Sequence, residues 1–104
     1  MKQICVLGLG YIGLPTCSIL ASRGHQVLGV DISEKVVNTI NSGKIHITEP
    51  DLDVFVKAAV QSGKLKASTT PAPSDVFIIS VPTPFKEDKK PDMSYVEAAV
   101  RSIL

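Results

Sequence analysis

Three glycines near the start of the chain stand at the spacing of a phosphate-binding turn. The segment Gly8-Leu9-Gly10-Tyr11-Ile12-Gly13 matches Gly-x-Gly-x-x-Gly, directly after an apolar run and before a predicted helix. In that context the first glycine permits a tight turn, the second lets the backbone approach a diphosphate, and the third lets the helix lie close to the strand. The free N–H groups of the helix start then face the anion. The segment predicts a dinucleotide site that includes Gly8, Gly10 and Gly13, with a ligand-free glycine turn as the alternative.

An acidic residue follows this turn at the distance that dinucleotide binding requires. Asp31 ends a predicted strand that begins at Gln26, about twenty residues beyond the motif. A carboxylate there accepts hydrogen bonds from the adenosine ribose hydroxyls and repels a 2′-phosphate. Because no arginine follows within the next several residues, the pattern favours NAD over NADP. Capping of the next helix is the alternative role for Asp31, although Ser33 already offers a cap.

A threonine between two prolines is the third candidate. Val81-Pro82-Thr83-Pro84 follows the most apolar predicted strand, residues 76–81. The fourth strand of a doubly wound sheet lies beside the first, so the loop after it borders the cofactor crevice. The Thr83 hydroxyl could reach the cofactor from this loop. The residues alone, however, favour an ordinary loop threonine without a binding role.

Alternating strands and helices are predicted to position these residues. The apolar run at residues 4–7 is typical of a strand covered on both faces. A helix is predicted from about Tyr11 to Arg23, and a short one after Ser33. Another amphipathic helix is predicted between Pro50 and Gly63, with an apolar face made of Leu52, Phe55, Val56, Ala59 and Val60. With a short strand at 65–68, the order predicts an α/β fold: a Rossmann-like doubly wound parallel sheet, truncated after about four strands, with residues 1–104 as the N-terminal part of the cofactor-binding domain.

Composition excludes several classes of protein. The chain is 44% hydrophobic with a net charge of +1, has no basic stripe, and has no apolar run near the roughly 20 residues that span a bilayer. We therefore expect no nucleic acid partner and no membrane span. The apolar start of the chain meets Gly8 almost at once and lacks a credible signal-peptide cleavage site, so we expect a cytoplasmic location. Cys5 and Cys17 are expected to be packed in the core, and His46 to lie in a loop. No metal site and no nucleophile–base pair is predicted.

Several segments resemble the UDP-glucose/GDP-mannose dehydrogenase family. They occur in the family's order and are residues 8–15, Glu49-Pro50-Asp51-Leu52 and Val81-Pro82-Thr83-Pro84. The segments 45–52, 82–86 and 90–97 resemble, more narrowly, the UDP-N-acetyl-D-mannosamine dehydrogenases of that family. The resemblance runs over essentially the whole chain.

The resemblance implies NAD-dependent oxidation of the C6 alcohol of UDP-N-acetylmannosamine to a carboxylate, in two steps, for bacterial and archaeal surface polysaccharides. UDP-glucose and UDP-N-acetylglucosamine are the alternative substrates. It also implies that Tyr11 and Ile12 contact NAD through the turn, Asp31 the ribose, and Thr83 the cofactor from the opposite side. The family's catalytic cysteine lies in a Gly-Gly-x-Cys segment that this sequence lacks, together with the central helical and nucleotide-sugar domains. We therefore expect no catalytic residue here, an inactive fragment, and a homo-oligomeric full-length enzyme.

Three other classes use a similar glycine turn. A regulatory NAD-sensing domain or a flavoprotein would not be expected to carry the later segments. A β-hydroxyacid dehydrogenase shares the Gly-Leu-Gly opening, but the Thr83 loop and the long insert between Gly43 and Leu65 speak against it.

Overall fold

Parallel strands form the centre of the molecule, in the order β3-β2-β1-β4. They are β1 (Gln3–Leu7), β2 (Gln26–Val30), β3 (Leu65–Ser68) and β4 (Val76–Ile79). The computed structural model describes residues 2–80, 97, 100, 101 and 103. The chain adds β2 and β3 on one side of β1 and then returns to add β4 on the other side. The topological switch point of the sheet therefore lies between β1 and β4. The predicted Rossmann-type sheet is confirmed.

Helices connect the strands and cover one face of the sheet. They are α1 (Gly13–Ser22), α2 (Glu34–Asn41) and α3 (Leu52–Gln61). Helix α1 begins two residues later than predicted, with Ile12 as its N-cap. The predicted cap of α2 is confirmed, since the Ser33 hydroxyl accepts a hydrogen bond from the N–H of Val36 at 3.3 Å. Strand β4 ends at Ile79 in the structure, and Val81, which we predicted to end it, lies outside the described residues.

The main core lies between the sheet and the three helices. Its most deeply buried members include Leu9, Leu14, Ile40 and Val56. The predicted apolar face of α3 is wrong at one position, because Phe55 is 57% exposed. Phe55 lies at the margin of the helical stripe, and its exposed side chain lines a surface pocket together with Pro15 and Ile19 of α1.

A side-chain amide occupies the outer edge of β3. The Asn41 Nδ2 donates to the carbonyl of Ala67, and the N–H of Ala67 donates to the Asn41 Oδ1, both at 2.9 Å. The amide of Asn41 thus takes the place of a neighbouring strand at this position. Such pairing blunts an edge that would otherwise template association with another chain.

Within the part of the chain that the structure describes, no helix is long and apolar enough to cross a membrane.

Candidate cofactor-binding turn

The glycine-rich segment forms the turn between β1 and α1. Gly8 takes a φ of +101°, in the left-handed region that side chains disfavour. Its N–H donates to the carbonyl of Val30 at 2.7 Å, which ties the start of the turn to the end of β2. The first glycine is therefore required by backbone conformation.

The last glycine of the turn is required by packing. A Cβ built on Gly13 would fall onto the carbonyl oxygen of Gly8 and within 2.5 Å of the Ser80 Oγ. Gly13 is buried at the first position of α1, so the helix begins in direct contact with the turn. This is the close helix–strand approach that the motif predicts.

Neither backbone conformation nor packing requires a glycine at the middle position of the turn. The φ of Gly10 lies outside the left-handed region, and a Cβ built there would meet no atom within 4 Å. Gly10 is exposed at the surface of the turn. A glycine with open space above it fits the close approach of a diphosphate to the backbone. The geometry of the turn is therefore compatible with a bound dinucleotide.

Asp31 reaches back from the end of β2 to the same turn. Its Oδ2 accepts a hydrogen bond from the N–H of Leu9 at 3.1 Å, and its Oδ1 accepts one from the N–H of Ser33 at 3.0 Å. Asp31 is half-buried. An ionised carboxylate has about four lone-pair sites, so Asp31 can accept ribose hydroxyls while keeping both contacts.

Exposed apolar side chains follow the turn and the acid along the chain. Tyr11 is 62% exposed, Ile12 is 74% exposed, and Ile32, directly after Asp31, is 88% exposed. Apolar side chains beside a polar cradle are typical of a cofactor site. The sequence predicted roles for Tyr11 and Ile12 only. Ile32 was not predicted, although an isoleucine directly after the predicted ribose-binding acid was a visible signal.

Ser80 is a second residue that the sequence analysis missed. Its hydroxyl lies 2.8 Å from the carbonyl oxygen of Gly8 and 3.1 Å from that of Leu7, and can donate to either. A single hydroxyl within the apolar strand predicted at residues 76–81 was the available signal. Thr83, three positions further on, lies outside the described residues, so its role stays a prediction.

The cysteines do not form a reactive centre. Cys5 and Cys17 are both free and buried. Burial, with the neighbouring Cys5 as a smaller cause, raises the pKa of Cys17 to about 12, and burial raises the pKa of Cys5. Both stay protonated near neutral pH, whereas a nucleophilic cysteine requires the thiolate. His46 is exposed, and no cluster that could hold a metal ion is found among the described residues.

A parallel sheet that reverses its winding at a glycine turn, with an acid at the end of the second strand, defines a Rossmann-type dinucleotide-binding domain. Residues 2–104 match the model of the UDP-glucose/GDP-mannose dehydrogenase family, NAD binding domain. The chain belongs to this family, and the predicted family, fold and NAD cofactor are confirmed.

Relatives and solved structures agree with this assignment. The chain is 60% identical over 102 residues to an NDP-N-acetyl-D-galactosaminuronic acid dehydrogenase of Ralstonia nicotianae, covering 98% of the chain and 24% of that protein. It is 62% identical over 100 residues to the UDP-N-acetyl-D-mannosamine dehydrogenase of Escherichia coli K12, covering 96% and 24%. The structure superposes on UDP-N-acetyl-mannosamine dehydrogenase Cap5O of Staphylococcus aureus with a TM-score of 0.95 and 48% identity, covering 97% of the chain and 25% of Cap5O. The chain thus spans about a quarter of the length of these relatives.

Proposed function

We propose that the β1–α1 turn binds the diphosphate of NAD in a nucleotide-sugar 6-dehydrogenase. The observation that carries the proposal is Gly10, an exposed glycine that neither backbone conformation nor packing explains, on a turn held by Asp31. The helix start at Gly13 supplies the positive dipole end beside it.

Each candidate residue has a binding role in this proposal. The backbone of Gly8, Gly10 and Gly13 shapes the diphosphate site. Tyr11 and Ile12 cover the cofactor, and their exposure supports this role. Asp31 accepts the ribose hydroxyls, and Thr83 contacts the cofactor from the opposite side. Bound NAD supplies a hydride acceptor, and the residues of this chain hold and orient it.

We propose UDP-N-acetylmannosamine as the sugar that the whole protein oxidises, at C6 and to the carboxylate, with two NAD. The identity to dehydrogenases named for this sugar supports the choice. A relative of similar identity is named for N-acetyl-D-galactosaminuronic acid, so this stretch of chain is compatible with more than one sugar. UDP-glucose and UDP-N-acetylglucosamine are the other candidates. The whole protein is proposed to be a cytoplasmic homo-oligomer that serves polysaccharide synthesis.

The catalytic thiolate of such an enzyme is proposed to lie outside these residues. Burial of Cys5 and Cys17 and their raised pKa values support this. The role of this chain is then cofactor binding.

Calorimetric titration with NAD and NADP tests the cofactor site. We compare the parent chain, Asp31→Ala and Asp31→Asn with Asp53→Asn, which removes the same charge from the exposed first turn of α3. Hydrogen bonds to a charged group contribute about 1.5–3 kcal/mol, so we expect Asp31→Asn to weaken NAD at least about tenfold. Asp53→Asn should bind as the parent does. Equal affinity for NAD and NADP, or NAD binding insensitive to Asp31, would contradict the proposed site.

The reaction is tested by the appearance of NADH. The whole protein is given NAD and, separately, UDP-N-acetylmannosamine, UDP-glucose and UDP-N-acetylglucosamine. Two NADH per sugar with the first and little with the others supports the proposed substrate. NAD binding without NADH formation from any of the three sugars would instead favour a regulatory NAD-sensing role.

A further inference from the structure

One peptide unit of the glycine turn is held at both ends by side chains. The Ser80 hydroxyl lies 2.8 Å from the carbonyl oxygen of Gly8, which is nearer than the carbonyl oxygen of Leu7 at 3.1 Å. The N–H of Leu9 donates to the Asp31 carboxylate at 3.1 Å. The Gly8 carbonyl and the Leu9 N–H belong to the same planar peptide, and in a trans peptide they point in opposite directions. Ser80, after β4, and Asp31, after β2, therefore hold the plane from the two sides of β1.

This peptide needs such support because glycine precedes it. Gly8 has a φ of +101° and no side chain, so rotation of the following peptide plane meets little steric resistance. A rotated plane would turn the Gly8 carbonyl away from Ser80 and towards the Asp31 carboxylate, where two acceptors would face each other. It would also displace Gly10, which follows directly and carries the open surface of the turn.

Gly13 also packs against the Gly8 carbonyl oxygen, which leaves little free space around this peptide. The Gly8 oxygen lies where a side chain on Gly13 would begin, and the Ser80 Oγ lies beside it. The start of α1, the end of β4 and the peptide of the turn therefore meet at one oxygen atom. A change at Ser80 is transmitted to the turn through this atom, without contact to the diphosphate surface at Gly10.

We propose that Ser80 is a positioning residue of the cofactor site, which with Asp31 fixes the Gly8–Leu9 peptide in the orientation that binds the diphosphate. The proposal rests on the proposed NAD site. Ser80 acts through the Gly8 carbonyl, whereas Asp31 both holds the peptide and contacts the ribose. Loss of Ser80 should therefore weaken NAD and NADP binding to the same extent, whereas loss of Asp31 should change the ratio of the two affinities.

The test compares Ser80→Ala with Ser80→Thr, which keeps the hydroxyl, and with Ser68→Ala. Ser68 ends the parallel strand β3, and its hydroxyl contacts Thr70 instead of the turn. Hydrogen exchange of the Leu9 amide is read by NMR, and NAD and NADP affinity by calorimetry. For the loss of one hydrogen bond we expect Ser80→Ala to exchange the Leu9 amide about fivefold faster and to bind NAD about five- to tenfold more weakly. Because Asp31 is intact, the ratio of NAD to NADP affinity should be preserved.

Ser80→Thr should restore both values towards those of the parent, and Ser68→Ala should match the parent. Unchanged exchange of the Leu9 amide in Ser80→Ala would overturn the holding of the peptide. Faster exchange with unchanged NAD affinity would overturn the role in cofactor binding. If neither this chain nor the whole protein binds NAD, the proposed function fails, and the amide exchange still decides whether Ser80 holds the turn.

Discussion

Alanine at Gly13 and alanine at Gly10 are predicted to damage the protein in different ways. A Cβ at Gly13 falls on the backbone oxygen of Gly8, which cannot move aside as a side chain can, and close to Ser80. Overpacking costs about 1–3 kcal/mol, and we expect the upper end here. Better helix propensity returns at most about 1 kcal/mol. The free energy of unfolding of Gly13→Ala should therefore fall by about 2 kcal/mol.

Gly10→Ala meets no atom within 4 Å and keeps an allowed φ. Its free energy of unfolding should stay unchanged or rise by up to about 1 kcal/mol, because alanine restricts the unfolded chain. The new methyl group occupies the space proposed for the diphosphate. A steric cost of about 1–3 kcal/mol there corresponds to a loss of NAD affinity of roughly 5- to 150-fold.

Urea unfolding followed by circular dichroism measures the first effect, and calorimetry with NAD measures the second. Gly10→Ala should be stable and unable to bind well, whereas Gly13→Ala should be unstable. Equal destabilisation of the two variants would refute the packing argument. Normal NAD binding by Gly10→Ala would refute the assignment of the open surface to the diphosphate.

Two further predictions concern stability. Asp51 has a left-handed φ of 63° before α3, so Asp51→Gly should raise the free energy of unfolding by up to about 1 kcal/mol. Asp53→Gly, in the first turn of the helix, should lower it by about 0.5–1 kcal/mol, because glycine has a lower helix propensity and the acid beside the helix N-terminus is lost. Urea unfolding of both variants tests this, and a loss of stability in both would contradict the strain at Asp51. The pKa of Cys17 is raised from 9.0 to about 12 in the folded chain, so the unfolded state loses its proton first. The stabilisation of the folded chain by the protonated Cys17 thiol is complete below pH 9. Its loss should lower the free energy of unfolding by about 1.4 kcal/mol per pH unit between about pH 9 and 12. Cys17→Ala, measured across the same range, should lack this part of the slope.

The sequence predicted the features that depend on neighbouring residues. The glycine spacing and the apolar runs identified the turn and the strands around it, because the conformation of a tight turn is local. Asp31 was correctly located at the end of β2 because the strand and its acid are contiguous. Known α/β topology then gave the position of β4 beside β1.

Features that depend on strand register were missed. Ser80 reaches the turn because Leu7 pairs with Ile79, so the residue after β4 meets the residue after β1. Nothing in the local pattern fixes that register. Asn41 is similar: its amide pairs with Ala67 only because α2 packs beside β3. In the case of Phe55, helical periodicity identified the apolar stripe but could not show how much of it the sheet covers.

Asp31 links the rigidity of the turn to the choice of cofactor. To avoid a 2′-phosphate, its carboxylate would have to rotate away, and rotation breaks the hydrogen bonds to the N–H groups of Leu9 and Ser33. The proposed rejection of NADP would thus be reinforced by the same contacts that hold the turn. A neutral residue at position 31 removes the repulsion and the anchor together. In the titration, NAD and NADP affinity should therefore converge because NAD binding falls, and a gain in NADP binding by Asp31→Ala would show that the turn does not need its anchor.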